Sequence, residues 1–418
     1  MIQLFHSSID TLADQHIEKL VIMSLTDTPN ANRLHITLFG RRNSGKSSLI
    51  NALTGQDIAL VSNTPGTTTD LVSKAMEIQG IGPCLFIDTP GFDDEGELGE
   101  LRISRTLKAI EKTDIALLLC EDTTFSHEKE ILALLKEKNI PVIPVLNKID
   151  IRENSDHLAT YIEEQCKIHP LLISAKEKIG IELIRQAILE KLPSDFGQQS
   201  ITGELVTEND LVLLVMPQDI QAPKGRLILP QVQTIRELLD KKCLVVTCTT
   251  DKFSATLQAL ARPPKLIITD SQVFKAIYEQ KPAESELTSF SVLFAGYKGD
   301  IHYYVESAAV IERLTESSRV LIAEACTHAP LSEDIGRVKL PRLLRKRIGE
   351  NLQIDMVAGT DFPQDLTPYS LVIHCGACMF NRKYVLSRIE RAREQHIPMT
   401  NYGVAIAFLN GILDQIKY

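Results

Sequence analysis

Residues 35–55 read HITLFGRRNSGKSSLINALTG, and the order of residue types in this stretch predicts a strand, a loop and a helix. The loop, residues 40–47, fits the pattern G-x-x-x-x-G-K-[ST] at every position. Its glycines allow backbone N–H groups to turn toward a phosphate, Lys46 reaches the outer phosphates, and the Ser47 hydroxyl suits Mg²⁺. We expect a phosphate-binding loop whose nucleotide contacts come from Gly40, Asn43, Ser44, Gly45, Lys46, Ser47 and Ser48.

The composition of the chain limits its class. Its 418 residues are 44% hydrophobic and 24% charged, which is typical of a globular protein with more than one domain. The net charge of −9 works against a broad nucleic-acid surface, and the densest basic run, residues 337–347, is expected to be the solvated face of a helix. No 18-residue apolar run exists, and acidic residues interrupt the N-terminus where a signal peptide needs an apolar core. We expect a cytoplasmic protein with neither a nucleic-acid nor a membrane partner.

Short apolar runs alternate with helical runs along the chain, a pattern typical of mostly parallel sheets covered by helices. Breaks at residues 193–202 and 281–285 divide this alternation. We expect an α/β protein with three domains: a P-loop domain with a mostly parallel sheet over 1–195, a small α/β domain over 202–284 and a C-terminal α/β domain over 288–418. Strands are predicted at 36–39, 85–87, 115–119, 142–146, 171–173, 210–216, 243–249, 265–269, 289–294, 320–323, 354–357 and 371–374.

The second of these domains carries no residue cluster with catalytic chemistry. Its predicted strands make a small open sheet, and pairing with a second copy would protect the exposed edge of such a sheet. The domain is therefore either a structural spacer or, as we expect, the contact of a homodimer.

Two motifs after the phosphate-binding loop supply residues for Mg²⁺. Residues 64–70, TPGTTTD, form a turn rich in hydroxyl groups. In the motif DTPG, Asp88 can hold Mg²⁺ through water and the Gly91 amide can approach a γ-phosphate. The metal ligand from the turn is expected to be Thr68, with Thr67 and Thr69 as alternatives. The residues expected to act in hydrolysis are Lys46, Ser47, Asn43, Thr68 and Asp88.

Two later motifs predict contacts to a guanine base. In the sequence NKID, the Asp150 carboxylate can accept hydrogen bonds from N1 and N2 of guanine, which adenine cannot match. The sequence SAK, which follows the next predicted strand, would steady the base from its other side. The residues of this part of the site are Asn147, Lys148, Asp150, Ser174, Ala175 and Lys176.

This ordered set of motifs resembles the GTPases of the TrmE and Era type over the first of the three domains. Phe92 follows the DTPG motif where small regulatory GTPases have a water-orienting glutamine, so water activation must come from elsewhere. Asn43 stands where TrmE-like proteins use an asparagine to bind K⁺ against the phosphates. The alternative for Asn43 is a turn residue that tolerates an unusual backbone angle. The resemblance implies GTP hydrolysis stimulated by K⁺.

Eight cysteines in a chain of this length do not indicate a disulfide framework, and three of them form motifs. Cys375 and Cys378 form a C-x-x-C motif that His374 precedes. Cys326 and His328 form a C-x-H motif earlier in the chain. Both motifs follow apolar runs, and a redox pair, a zinc site and a 4Fe–4S cluster are all compatible with them. The remaining cysteines, expected to be buried as small apolar residues, are Cys84, Cys120, Cys166, Cys243 and Cys248.

The whole arrangement, a GTPase domain, a middle α/β domain and then the motifs C-x-H and H-C-x-x-C, resembles the HydF family of FeFe-hydrogenase maturation GTPases. The resemblance implies a 4Fe–4S cluster held by Cys326, Cys375 and Cys378, and dimerisation through the middle domain. It also implies a diiron precursor made with two radical-SAM maturases and delivered to apo FeFe-hydrogenase. The fourth iron would carry a weak ligand, either exogenous or one of Glu333, Asp334, His328 and His374.

We therefore expect a GTP-hydrolysing scaffold that assembles or carries a diiron precursor for FeFe-hydrogenase. The alternative is a GTPase in RNA modification or ribosome assembly whose C-terminal domain holds structural zinc. The acidic net charge and the lack of a basic face interleaved with aromatic residues disfavour this alternative.

Overall fold

The computed structural model describes residues 28–54, 72–78, 80–89, 105–122, 124–193, 196–197, 199–217, 227–325 and 334–418. Within these ranges the chain forms three sheets in succession, each covered by helices, and every pairing between named strands but one is parallel. This is the α/β class that the alternation predicts. We refer to residues 28–193, 199–289 and 290–418 as the first, second and third units. None of the described helices combines the length and the apolar character needed to span a membrane.

The first unit contains six strands: β1 (Leu34–Gly40), β2 (Val72–Ile78), β3 (Gly82–Asp88), β4 (Ile115–Cys120), β5 (Val142–Leu146) and β6 (Leu171–Leu172). Their order in the sheet is β2-β3-β1-β4-β5-β6. β1 is buried over its full length because it lies between β3 and β4 and pairs with both in parallel. β2 pairs antiparallel with β3 at the edge. The helices are α1 (Lys46–Thr54), α2 (Ser126–Glu137), α3 (Ser155–Cys166) and α4 (Ile181–Glu190), with further helical residues at 30–32 and 105–110.

The second unit contains four parallel strands: β7 (Leu211–Val215), β8 (Leu244–Cys248), β9 (Leu266–Thr269) and β10 (Glu286–Ser289). Their order is β10-β9-β7-β8, so β8 is an edge strand. The sheet therefore continues past residue 284, where the sequence pattern places a break. The helices are α5 (Leu229–Asp240), α6 (Phe253–Ala259) and α7 (Phe274–Tyr278), with a 3₁₀ turn at Thr250–Lys252.

The third unit contains four parallel strands: β11 (Arg319–Glu324), β12 (Gln353–Ala358), β13 (Leu371–His374) and β14 (Met399–Asn401). Their order is β12-β11-β13-β14. The helices are α8 (Phe290–Lys298), α9 (Ile301–Ala308), α10 (Leu340–Ile348), α11 (Arg382–Glu394) and α12 (Tyr402–Leu409), with 3₁₀ turns at Ala309–Arg313 and Leu413–Gln415 and a π-helical turn at Ile335–Lys339.

The strand predicted over residues 289–294 is wrong, because α8 occupies this stretch. Ser289 ends β10 and also caps the helix, since its Oγ accepts a hydrogen bond from the backbone N–H of Val292 at 3.2 Å. α8 is buried on several faces, and an apolar run without a polar face does not distinguish a buried helix from a buried strand.

One apolar core joins the second and third units. It contains Leu213 and Ile267 of the second sheet together with Leu321 and Val372 of the third. The third unit also contacts the first through α11 and the residue before it. Asn381 Nδ2 donates to the carbonyl of Lys112 at 2.8 Å, Lys383 Nζ donates to the carbonyl of Lys138 at 3.0 Å, and Arg391 forms an ion pair with Glu111.

Candidate nucleotide and metal sites

The residues predicted to bind nucleotide lie at the carboxyl edge of the first sheet, where open α/β sheets bind their ligands. Gly40 ends β1, Asp88 ends β3, Asn147 follows β5 and Ser174 follows β6. The strand order β3-β1-β4-β5-β6 brings these strand ends to one side of the sheet. The motifs that the sequence separates by more than a hundred residues therefore lie at one edge.

The phosphate-binding loop depends on Gly45, the second glycine of its motif. Gly45 has a φ of +90°, and a Cβ there would lie 2.2 Å from Asn147 Nδ2, so no other residue fits. Lys46 Nζ donates to the carbonyl oxygens of Gly40 at 2.9 Å and Arg41 at 2.7 Å. The loop thus holds a buried cation against its own backbone, an arrangement that suits an anionic ligand.

Ser47 and Asp88 form the part of the site expected to hold Mg²⁺. Ser47 Oγ donates to Asp88 Oδ2 at 2.6 Å. The other carboxylate oxygen, Oδ1, is buried and has no hydrogen-bond partner among the described residues. Burial raises the pKa of Asp88, while the Ser47 hydroxyl and the Lys46 cation oppose this rise. A buried, unpartnered carboxylate oxygen beside a hydroxyl group is the donor set that Mg²⁺ takes with its bound waters.

Asn147 connects three motifs through its side chain. Its Nδ2 donates to the carbonyl of Ser44 at 3.0 Å, and its Oδ1 accepts from the N–H of Lys148 at 2.8 Å and of Ala175 at 3.0 Å. Both polar atoms of the amide are therefore bonded to protein. Asn147 therefore connects the phosphate loop with the loops that carry the NKID and SAK motifs.

Asp150 is exposed, as a carboxylate that contacts a ligand base must be. A hydrogen bond from the Ser174 hydroxyl holds the pKa of Asp150 below its usual range, so it stays ionised and accepts hydrogen bonds. Ser174 is itself buried and its Oγ accepts from the N–H of Glu177 at 3.1 Å. Lys148 has a φ of +66° and pairs with Glu121 at 3.0 Å, and Lys176 is exposed.

Sequence reasoning missed an ion pair that fixes the phosphate loop. Arg41 Nε lies 2.9 Å from the buried carboxylate of Glu128 on α2, and Arg41 NH1 lies 2.8 Å from Asp122. The sequence does contain a signal for this ion pair. Glu128 lies in the apolar stripe of a helix, and an acidic residue buried there needs a cationic partner.

Asn43 lies at the exposed turn of the loop with a φ of +62°. Asparagine tolerates this conformation better than most residues, so the turn role fits, and the K⁺ role stays a prediction. Ser48 is exposed in the first turn of α1. The remaining predicted residues of this site, Thr67, Thr68, Thr69, Gly91 and Phe92, lie outside the described residues.

A second site lies where the third unit meets the second. Cys375 and Cys378 line a cavity of about 270 Å³ that Glu324 and Asp334 also line. Among the described residues, no three His, Cys, Asp or Glu side chains group as metal ligands. Three predicted members of this site, Cys326, His328 and Glu333, lie outside the described ranges.

Of the five cysteines expected to be buried, Cys84, Cys120, Cys166 and Cys243 are buried and Cys248 is half-buried.

The backbone around Cys375 directs N–H groups at its sulfur. Cys375 Sγ accepts from the N–H of Ala325 at 3.0 Å and of Ala377 at 3.4 Å. Ala377 adopts a φ of +51°, a strained value for alanine. Burial raises the pKa of Cys375 to about 11, and the two N–H groups oppose this rise. N–H donors aimed at a cysteine sulfur are among the groups that tune iron–sulfur clusters.

His374 is a supporting residue rather than a ligand. It is buried; its Nδ1 lies 2.8 Å from the carbonyl oxygen of Cys375 and its Nε2 lies 2.8 Å from Arg388 NH1. Arg388 only donates, so Nε2 accepts and Nδ1 carries the proton that bonds Cys375. Burial and then the Arg388 charge lower the pKa of His374 to about 3, so the ring is neutral. Both ring nitrogens are therefore committed, which removes His374 from the candidates for the weak iron ligand.

Arg388, which the sequence did not single out, is 1% exposed and lies on α11. Its guanidinium contacts the rings of Phe362, Phe380 and Tyr384 at 4.6–4.7 Å, and NH2 donates to the carbonyl of Gly359 at 2.6 Å.

Of the predicted weak ligands, Asp334 is buried at the cavity and accepts from the N–H of Arg337 at 2.9 Å.

Family models match three successive parts of the chain. Residues 35–148 match a model described as 50S ribosome-binding GTPase. Residues 201–299 match the hydrogen maturase F dimerization domain, and residues 302–417 match the hydrogen maturase F tetramerization domain. The two hydrogen maturase F models together cover more than half of the chain.

The tRNA modification GTPases among the relatives match less than half of the chain. The tRNA modification GTPase MnmE of Nitrosomonas europaea is 36% identical over 45% of this chain and 40% of that protein. MnmE of Dechloromonas aromatica is 40% identical over 37% of this chain and 34% of that protein. The chain thus spans less than half the length of these relatives. A crystal structure of Era from Aquifex aeolicus aligns with 20% identity and a TM-score of 0.33 over 51% of this chain and 92% of that chain.

Proposed function

This chain belongs to the hydrogen maturase F family, and on that premise we propose that it is a GTP-hydrolysing scaffold for FeFe-hydrogenase maturation. The third unit binds a 4Fe–4S cluster through Cys326, Cys375 and Cys378. The cluster anchors a diiron precursor, which the protein receives from radical-SAM maturases and delivers to apo FeFe-hydrogenase. The protein acts as a homodimer, with the second unit as the subunit contact.

The observation that carries the proposal is the surroundings of Cys375. Its sulfur accepts two backbone N–H groups, and it shares a cavity with Cys378 at the carboxyl edge of the third sheet. A redox pair does not need a cavity, whereas a cluster that exchanges a ligand does. Cys375 and Cys378 suit such a cluster, whose third ligand, Cys326, lies outside the described residues, and when bound it would supply one iron whose ligand can be replaced.

The chain has a GTPase domain, and we assign roles in hydrolysis to residues of its phosphate and base sites. Lys46 neutralises charge on the outer phosphates, and Ser47 and Asp88 hold Mg²⁺ directly and through water. Asp150 selects guanine through two hydrogen bonds to N1 and N2. Phe92 has no side-chain amide to orient the attacking water, so hydrolysis is slow without help. Asn43 would hold K⁺ beside the phosphates, where the positive charge of the ion would stabilise the transition state.

The runner-up function is a GTPase in RNA modification with structural zinc in the third unit. The likeness of the first unit to tRNA modification GTPases favours it. That likeness ends with the GTPase part, and the two later units match hydrogen maturase F models instead. His374 is also unsuited to zinc, because both of its ring nitrogens are bonded to protein.

The experiment that tests the proposal removes one thiol at a time from protein purified without oxygen. Cys375→Ser and Cys378→Ser should each lose the iron, the sulfide and the EPR signal of the reduced cluster. GTP hydrolysis should stay within about twofold of wild type, because distant sites act nearly independently. Cys248→Ser is the matched control, since this half-buried cysteine lies outside the cavity. A full iron and sulfide complement in Cys375→Ser would contradict the proposal.

A further inference from the structure

The cavity beside Cys375 is bounded by two sheets rather than one. From the second unit it is lined by Ser271, which follows β9; Ser291, which also lines it, lies in the first turn of α8, directly after β10 of that unit. From the third unit it is lined by Glu324 of β11, Cys375 after β13 and Tyr402 after β14. All five positions are at the carboxyl ends of parallel strands, the edge at which open α/β sheets bind ligands. The second unit therefore forms one wall of the metal cavity.

Tyr402 is the residue of this cavity with an unused hydrogen-bonding group. It is 9% exposed, and its hydroxyl has no hydrogen-bond partner among the described residues. Leaving a buried hydroxyl unpaired costs about 1–3 kcal/mol. A tyrosine hydroxyl carries its proton at neutral pH and is therefore available as a donor.

The backbone around Tyr402 leaves space for this hydroxyl group. A Cβ on Gly336 would lie 2.1 Å from the Tyr402 hydroxyl oxygen, so a larger residue there would displace the ring. A Cβ on Gly403 would lie 2.4 Å from Ser291 Oγ. Gly403, the residue after Tyr402, therefore packs directly against Ser291.

Two serines, Ser271 and Ser291, make another part of the cavity wall polar, and both bond to Ser289. Ser271 Oγ bonds to Ser289 Oγ at 3.3 Å and to Ser291 Oγ, and Ser289 Oγ lies 3.2 Å from Ser291 Oγ. Ser289 is fully buried and fixed by its role as the cap of α8, so it holds the other two hydroxyls at the cavity. Hydroxyl protons rotate freely, and Ser271 and Ser291 can turn theirs toward a bound acceptor.

We propose that Tyr402, with Ser271 and Ser291, donates hydrogen bonds to the outer end of the ligand on the exchangeable iron. This inference rests on the proposed function, because it needs the cluster. The ligand class is a small anion that binds iron at one end and carries an acceptor atom at the other. The cavity, about 270 Å³, is smaller than the range of about 300–1,000 Å³ typical of drug-sized ligands, and it suits a compact iron complex.

Two probes with different outer ends test the donors. Cyanide bound through carbon presents an acceptor nitrogen, whereas 1-methylimidazole bound through its free ring nitrogen presents a methyl group that neither donates to nor accepts from a hydroxyl. The reduced cluster of the full-length protein is titrated with each probe and followed by EPR. Tyr402→Phe should weaken cyanide binding about tenfold, the value of roughly one hydrogen bond, and change 1-methylimidazole binding by less than about twofold. Ser291→Ala should weaken cyanide in the same direction.

Tyr304→Phe is the matched control. Its hydroxyl is also buried without a hydrogen-bond partner among the described residues, but it packs on Gly299 outside the cavity lining. It should leave the affinity for both probes unchanged. If Tyr402→Phe does not keep its cluster, Ser291→Ala decides the question. Unchanged cyanide affinity in a variant with a full cluster overturns this inference and leaves the proposed function standing. A wild-type protein that builds no cluster overturns both.

Discussion

Ser47 is the residue at which the nucleotide site is most directly testable. Ser47→Ala removes the hydroxyl that donates to Asp88 at 2.6 Å and that we expect to bind Mg²⁺. We expect Mg²⁺-dependent GTP turnover to fall about a hundredfold, the effect of losing one transition-state contact. Phosphate release in the steady state measures it.

The matched control for this prediction is Thr160→Ala. Thr160 is exposed on α3, and its hydroxyl donates to the carbonyl of Asp156 in the same helix at 3.0 Å. Its loss should leave turnover unchanged. Equal turnover in Ser47→Ala and wild type would remove the assignment of the phosphate site.

Single residues could be predicted where a motif ties them to a strand end, and not where their role depends on a distant partner. The carboxyl-edge positions of Asp88 and Asp150 follow from the motifs alone. The bridge made by Asn147 does not, because its partners Ser44 and Ala175 lie on two other loops. Tyr402 escaped notice because β14 has only three residues, too few to show a period.

At the scale of elements, the exposed edge of β8 predicts where two copies meet. The backbone N–H of Leu244 donates to the carbonyl of Asp210, and the carbonyl of Cys248 accepts from the N–H of Met216. Because alternate residues of a strand face the same neighbour, residues 244, 246 and 248 direct their backbone groups to β7. The alternate residues, Val245 and Thr247, therefore direct their N–H groups outward. Leu244 is 51% exposed beside them, an apolar side chain that a subunit contact would cover.

Thr247→Pro removes one outward N–H without touching the ladder to β7, and prolines block edge pairing. We expect the variant to sediment as a monomer at concentrations where wild type is a dimer. Thr247→Ala keeps the N–H and should remain dimeric. A dimer in Thr247→Pro, with wild-type circular dichroism, would place the contact elsewhere.

The phosphate loop carries the prediction about K⁺. Asn43 is exposed at the turn of this loop, where a K⁺ ion could take its side-chain oxygen. We expect GTP hydrolysis at least about tenfold faster in K⁺ than in Na⁺ at equal ionic strength, since an added cation at the phosphates acts like an arginine finger. Asn43→Ala should remove the difference. Equal wild-type rates in the two salts would show that no such site exists.

The elements themselves could be predicted where apolar runs are buried on both faces. β1, β5 and β13 are of this kind and match the predicted strands. β2 was missed because it contains no continuous apolar run. Its exposed residues are Ser73, Ala75 and Glu77, which alternate with the residues of its other face. The basic run 337–347 forms the expected helix face, since Leu340 and Leu344 of α10 are buried while Arg342 and Lys346 are exposed.

At the scale of the whole molecule, the sequence predicts three sheets but not how they meet. The core shared by the second and third units places Ser271 and Ser291 beside Cys375, and no pattern within either unit encodes that junction. The contact of α11 with the first unit has the same origin, because Arg391 and Glu111 are separated by 280 residues. Such pairings depend on packing between units, which periodicity does not report.

The central claim is that one chain combines a GTPase domain with an iron–sulfur cluster built for exchange. The measurement that tests it most directly is metal and sulfide analysis, with EPR, of wild-type protein purified without oxygen. We predict about four iron and four acid-labile sulfide per chain and an EPR signal on reduction that added imidazole perturbs. About one zinc per chain without sulfide would contradict the claim and favour a structural metal site.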